Sequence, residues 1–207
     1  MAKVKLFADS AADIPKQLVE ELDITVIPIK LHMDGKTYID GVTLKAEEFY
    51  EKLPSVSTFP TTSQPSPMDF SEAYKKALKE DKDVEILSIH LSSALSGTYQ
   101  SSVLAKSMLE EEDLHVTVMD SKSATYGLGM VVVAAARAAK EGKSLSECMK
   151  VAQYFIDQQK VIFTVDTLEY IQKGGRIGKA AALVGTLLNI TPILSLDEQG
   201  EVVSIDK

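Results

Sequence analysis

Val84-Glu85-Ile86-Leu87-Ser88-Ile89 is a short apolar run, followed by His90-Leu91-Ser92-Ser93-Ala94-Leu95-Ser96-Gly97-Thr98 and then by a helical segment over 99–109. An apolar run of this length bounded by turn signals reads as a buried strand. The hydroxyl-rich stretch 92–97 reads as a loop. The same order then repeats: strand over 116–119, loop over 120–126, helix over 128–141 ending at Gly142. Strand, loop and helix in alternation imply right-handed βαβ units and a parallel sheet.

Working outward, residues 4–8 predict another buried strand. Asp9-Ser10-Ala11-Ala12-Asp13 follows, and Pro15 opens a helix to about residue 22. Residues 25–33 are β-branched and apolar and predict one strand, with Asp34-Gly35 as a tight turn and 36–39 pairing back. A helix over 44–53 precedes a Ser-, Thr- and Pro-rich stretch, 54–67, that reads as a loop. Ser66-Pro67-Met68-Asp69 is a helix start with a capping serine, proline in the first turn and an acid three residues after the cap.

Beyond Gly142, Ser144-Leu145-Ser146-Glu147 repeats the start signal for a helix to 158. Then come a strand over 160–165, a short helix over 167–172, a break at Gly174-Gly175 and a helix over 180–189. Residues 193–196 and 202–205 flank Asp197-Glu198-Gln199-Gly200 as an antiparallel hairpin. The expected architecture is α/β. A first domain, 1–142, carries a mainly parallel sheet with helices on both faces. An incomplete second α/β domain, 143–207, carries a mixed sheet.

Composition narrows the function classes. The 207 residues include 22 basic and 30 acidic side chains, a formal net charge of −8. An acidic balance argues against a general nucleic-acid binder. Cys148 is the single cysteine, so an internal disulfide is excluded and a reducing cytoplasm is the expected compartment. The N-terminus turns polar too early for a signal peptide, and the most apolar stretch, 130–136, is too short to span a bilayer. That stretch and 183–188 read as core rather than lipid wall.

In an open parallel sheet, ligands sit beyond the carboxyl ends of the strands. Here those ends carry hydroxyls repeatedly: Asp9-Ser10, the 92–98 loop, and Asp120-Ser121-Lys122-Ser123, with Thr61-Thr62-Ser63-Gln64 able to join them. Such hydroxyls either cap helices or form a neutral anion cradle with free N–H groups. Ser96-Gly97-Thr98 favours the cradle, because glycine lets backbone approach a ligand.

Familiar catalytic signatures fail. Lys173-Gly174-Gly175-Arg176-Ile177-Gly178-Lys179 lacks the phosphate-loop spacing and its hydroxyl, Gly127-Leu128-Gly129 lacks the third glycine of a dinucleotide fingerprint, and no nucleophile elbow occurs. His32, His90 and His115 have no metal-ligand spacing. His90 is either structural or a base beside Ser96. The second reading would make the chain a stand-alone serine hydrolase or small-molecule kinase. Cys148 reads as a packed apolar residue and Glu110-Glu111-Glu112-Asp113 as a solvated helix end. Arg176, on a glycine loop, either clamps an anion or holds a carboxylate of its own chain.

Several segments taken in order resemble the DegV family. They are Asp9-Ser10-Ala11-Ala12-Asp13-Ile14-Pro15, Thr62-Ser63-Gln64-Pro65-Ser66, Leu91 to Gln100, Asp120-Ser121-Lys122-Ser123, and Leu168 to Gly178. The resemblance implies a non-enzymatic bacterial protein that holds a long-chain fatty acid such as palmitate between two α/β domains, with no other cofactor. It further implies presentation of the acyl carboxylate to a separate ATP-dependent kinase subunit that forms acyl phosphate. By resemblance, Thr62 and Ser96 bind the carboxylate, and Arg176 lies near the ligand end or the partner surface. Thr61, Ser93, Gly97 and Ser121 are candidate secondary contacts. Family members carry a further carboxylate-binding histidine near the C-terminus, in a region after residue 207. Set against the family, the chain reads as lacking the last part of its second domain, with homodimerisation through an exposed sheet edge as an expected consequence.

Overall fold

The computed structural model describes residues 3–109, 115–184 and 192–206. Its centre is a four-stranded parallel sheet built from β1 (Val4–Asp9), β2 (Thr25–Ile27), β6 (Glu85–His90) and β7 (Val116–Asp120), in the order β2-β1-β6-β7. Side chains alternate across each strand. Leu6 and Ala8 of β1 and Leu87 and Ile89 of β6 enter one core, shared with α1 (Lys16–Glu21), α5 (Thr125–Lys140) and α6 (Leu145–Gln158). Phe7 and Ile86 enter the other, shared with α3 (Pro67–Glu80) and α4 (Thr98–Leu109). The sheet is thus covered on both faces, as an apolar parallel sheet requires.

From β1 the chain steps outward to β2, while β6 lies on the other side of β1. The strand order therefore reverses between the carboxyl ends of β1 and β6, where a crevice opens in such folds.

Both helix starts read from sequence are real. Ser66 accepts the Asp69 N–H at 3.2 Å and Ser144 accepts the Glu147 N–H at 3.4 Å, each with its acid bonding back. The turn at Asp34-Gly35 takes positive φ at both positions, 48° and 73°, the geometry a two-residue hairpin needs.

Two local expectations are corrected. The run 25–33 is two strands, because Pro28 has no N–H to offer a ladder. Its first half, β2, joins the parallel sheet. Its second half, β3 (Lys30–Met33), joins a separate antiparallel sheet. That sheet has the order β4-β3-β5, with β4 (Lys36–Ile39) and β5 (Thr61–Ser63). The stretch 54–67 is therefore not all loop: Thr62 pairs with Leu31 and Thr61 with His32. A short helix, α2 (Ala46–Lys52), connects β4 to this region.

The C-terminal part has its own antiparallel sheet, β10-β9-β8, from β8 (Ile162–Thr164), β9 (Ile193–Leu196) and β10 (Val202–Asp206). Leu194 and Val202 pack there with Ala180 and Leu183 of a 3₁₀ segment, Gly178–Leu183, and α7 (Glu169–Lys173) precedes it. The α-helix expected over 180–189 is 3₁₀ in its first residues; 185–189 lie outside the described residues, as does the acidic run 110–113. Cys148 and Ala152 of α6 are fully buried in the first core, so residues on both sides of position 142 share it.

Candidate functional site

A cleft of about 410 Å³ opens at the reversal point, between the ends of β1 and β6. Ala11 and Asp13 line it from the loop after β1, and Leu91, Leu95 and Ser96 from the loop after β6. The end of β5 brings Thr62, Ser63 and Gln64. Ile29 and Asp40 come from the neighbouring sheet, Ala124 and Thr125 from the start of α5, and Arg176 from the C-terminal part. Two hydrogen bonds lock this frame: Asp40 N–H donates to Ile29 O at 3.1 Å, and Ile29 N–H donates to the Ser10 side-chain Oγ at 3.1 Å.

The cleft thus gathers Thr62, Ser96 and Arg176, which are 114 positions apart in the chain at the extremes. The other hydroxyls of the 92–96 loop turn elsewhere. Ser92 Oγ donates to Gly200 O at 2.8 Å, and Ser93 Oγ to Asp120 Oδ2 at 2.6 Å. Ser121 Oγ bonds within its own turn, accepting from Ser123 N at 3.1 Å. Thr61 faces His32 across the strand pair and does not line the cleft. Gly97 does not line it either, but it sits against Gln64: a Cβ there would lie 2.9 Å from Gln64 Nε2.

Among the described residues, Arg176 is seen on two backbone carbonyls rather than on a carboxylate of its own chain. Its Nε–H donates to Leu95 O at 3.1 Å and its Nη1 to Gly174 O. Both acceptors are backbone carbonyls, which hold the guanidinium at the cleft wall.

Asp13 and Asp40 add negative charge that the hydroxyl count alone does not reveal. Asp13 is solvent-exposed, but partial desolvation where its carboxyl lines the cleft raises its pKa above the ordinary 3.8, and repulsion from Asp40 and Asp9 raises it further. The backbone of Asp13 takes a left-handed φ of 48°, a conformation Asp tolerates better than most residues. Asp13 and Gln64 stand within the quoted sequence motifs, so a signal for them existed; Asp40, Ile29 and Thr125 carried none.

His90 is not a base for Ser96. It is fully buried, and both ring nitrogens are occupied: Nδ1 by Asp9 Oδ2 at 3.1 Å and Nε2 by Ser88 Oγ at 2.6 Å. The hydrolase reading needed a free imidazole facing the cleft, and the fold denies it one. No group of His, Cys, Asp and Glu among the described residues is arranged to hold a metal ion. No helix among them is long and apolar enough to cross a membrane.

Comparison with known proteins agrees with the fold. A DegV domain-containing protein of Caldanaerobacter subterraneus is 41% identical over 207 residues, covering all of this chain and 72% of the relative. The solved fatty-acid-binding DegV family protein of Thermus thermophilus superposes with a TM-score of 0.88 at 38% identity, covering 98% of this chain and 70% of that one. A stearic-acid-binding protein of Eubacterium ventriosum superposes with a TM-score of 0.85 at 28% identity, covering 99% of this chain and 69% of that one. The DegV family model, described as uncharacterised, matches residues 3–207, and this chain belongs to the DegV family.

Proposed function

We propose that the cleft binds the carboxyl end of a long-chain fatty acid, with Thr62 and Ser96 donating to the carboxylate. The observation that carries this reading is the presence of both Thr62 and Ser96 in the lining of one cleft whose walls include Ile29, Leu91 and Leu95. The volume of about 410 Å³ is that of a small-molecule site. Two solved relatives bind fatty acids.

The energetics suit such a ligand. Each buried methylene contributes about 0.8 kcal/mol, on the order of 10 kcal/mol gross for a palmitoyl chain. That is enough for tight binding after the cost of association. A carboxylate buried bare would be costly, and hydroxyl donors remove that cost without neutralising it.

The chain acts as a carrier. A separate ATP-dependent kinase subunit phosphorylates the presented carboxylate in the cytoplasm, and Arg176 at the cleft wall steadies charge near the transferred group. Denaturing extraction followed by lipid mass spectrometry tests the binding: one equivalent of intact fatty acid is expected from the purified protein, and much less from Thr62→Val. Turnover of an acyl ester or of ATP by the pure protein would overturn the carrier reading.

A further inference from the structure

We infer that Asp9 and His90 are positioning residues for the cleft, holding both of its sheet-end loops from the buried side. The fatty-acid reading enters only through what the cleft binds; the pinning itself does not depend on it.

Asp9 ends β1 and His90 ends the adjacent strand β6. Both side chains are 0% exposed. Asp9 Oδ2 accepts from the Leu91 N–H at 2.9 Å and bonds His90 Nδ1 at 3.1 Å. Its Oδ1 accepts from the Ala11 N–H at 3.2 Å. Ala11 and Leu91 line the cleft on opposite sides of the strand-order reversal. One dry carboxylate therefore holds the backbone of both loops.

His90 is held in turn. Its Nε2 bonds Ser88 Oγ at 2.6 Å, and Ser88 Oγ bonds Tyr74 OH at 2.7 Å. The Phe70 ring meets the imidazole edge-on, 4.9 Å between centroids. The order Asp9, His90, Ser88 repeats that of a catalytic triad. All three are sealed at 0% exposure, so no substrate reaches Ser88, and the set orients rather than reacts. Apolar side chains could fill this space without the desolvation cost of a charge. They could not accept the Ala11 and Leu91 amides together, and an unpaired buried amide is costly.

The test combines amide hydrogen exchange of the ligand-free protein with binding of [1-13C]palmitate followed by NMR. Asp9→Asn keeps the shape but turns an N–H₂ toward one set of donors. Exchange protection at Ala11 or Leu91 is expected to fall, relative to Leu87 in the same sheet, by about tenfold. Palmitate affinity should drop about tenfold, with a shifted carboxyl resonance. His90→Asn, whose side-chain amide nitrogen takes the place of Nδ1 and keeps one donor toward Asp9, should show the same changes to a smaller extent and serves if Asp9→Asn does not fold. Val116→Ala, in the core at the opposite end of the sheet, should lower the unfolding temperature and leave protection, affinity and resonance at wild-type values. The inference is overturned if Asp9→Asn and His90→Asn behave as Val116→Ala does. If the wild type binds no palmitate while Asp9→Asn still loses protection at Ala11 or Leu91, the pinning stands and the fatty-acid reading falls.

Discussion

The Nε–H of Arg176 donates to the backbone carbonyl of Leu95 at 3.1 Å, so the arginine after Gly174-Gly175 is anchored on the residue next to Ser96. A contact from the C-terminal part thus bears directly on the loop that carries a proposed ligand group. Arg176→Ala removes two exposed bonds to carbonyls and should cost only about 1–3 kcal/mol of stability. Its larger effect should fall on coupling to the proposed kinase subunit. Acyl phosphate formation assayed with both subunits should decline much more than palmitate affinity. Equal rates for wild type and variant would remove Arg176 from the transfer step.

Thr62→Val and Ser96→Ala each delete one proposed bond to the ligand carboxylate. A hydrogen bond to a charged group is worth about 1.5–3 kcal/mol, so each change should weaken palmitate binding roughly 10- to 100-fold by calorimetry. The two differ in stability. Ser96 Oγ also bonds Thr98 Oγ1 at 2.9 Å and accepts the Thr98 N–H at 3.3 Å, at the start of α4. Ser96→Ala should therefore lower the unfolding temperature, whereas Thr62→Val, on an exposed strand position, should not.

Gly200 sits at the tip of the β9–β10 hairpin with φ of +78°. A Cβ there would lie 2.2 Å from Ser92 Oγ and 2.9 Å from Lys122 backbone. Gly200→Ala should destabilise by roughly 3 kcal/mol, from steric overpacking and left-handed strain together. Gly97→Ala meets only the flexible end of Gln64. It should be mild in urea denaturation but reduce ligand affinity by displacing that side chain.

Asp13 gives a pH dependence with a definite sign. Partial desolvation at the cleft wall, then Asp40 and Asp9, raise the pKa of this exposed residue above 3.8 in the folded state. Its protonated form is favoured by folding, so its contribution is fully present below pH 3.8 and is lost as pH rises through the raised folded value. Asp13→Asn, which suits a φ of 48°, should stabilise the protein at pH 7 and make no difference near pH 3. It should also strengthen palmitate binding at pH 7 by removing a like charge. A variant no more stable than wild type at pH 7 would contradict the assignment.

The parallel sheet, the two capped helices and the C-terminal hairpin were legible because their signals are local. Apolar runs, a serine with an acid three residues on, and a turn tetrapeptide act over a few residues. Pro28 was equally legible in principle, since a residue without an N–H cannot continue a ladder on both sides. Strand β5 was not. Thr61-Thr62-Ser63 lies in a Ser-, Thr- and Pro-rich stretch, and it is a strand only because Lys30, Leu31 and His32 pair with it.

The chain by itself determined the α/β class, the order of its elements and the hydroxyl-bearing loops at strand ends, because these depend on side-chain periodicity and capping chemistry along a few turns. Only the tertiary structure decided which of these serines line the cleft. Ser92, Ser93 and Ser96 share one loop, yet a hairpin carbonyl takes Ser92, Asp120 takes Ser93, and Ser96, bonded to its neighbour Thr98, lines the cleft. His90 was decided the same way. Whether an imidazole is a base or a buried brace depends on what meets its two nitrogens, and here these are Asp9, 81 positions away, and Ser88 on its own strand. The Asp9 contact exists because β1 and β6 are neighbours in the sheet, a pairing between distant segments that no local pattern encodes.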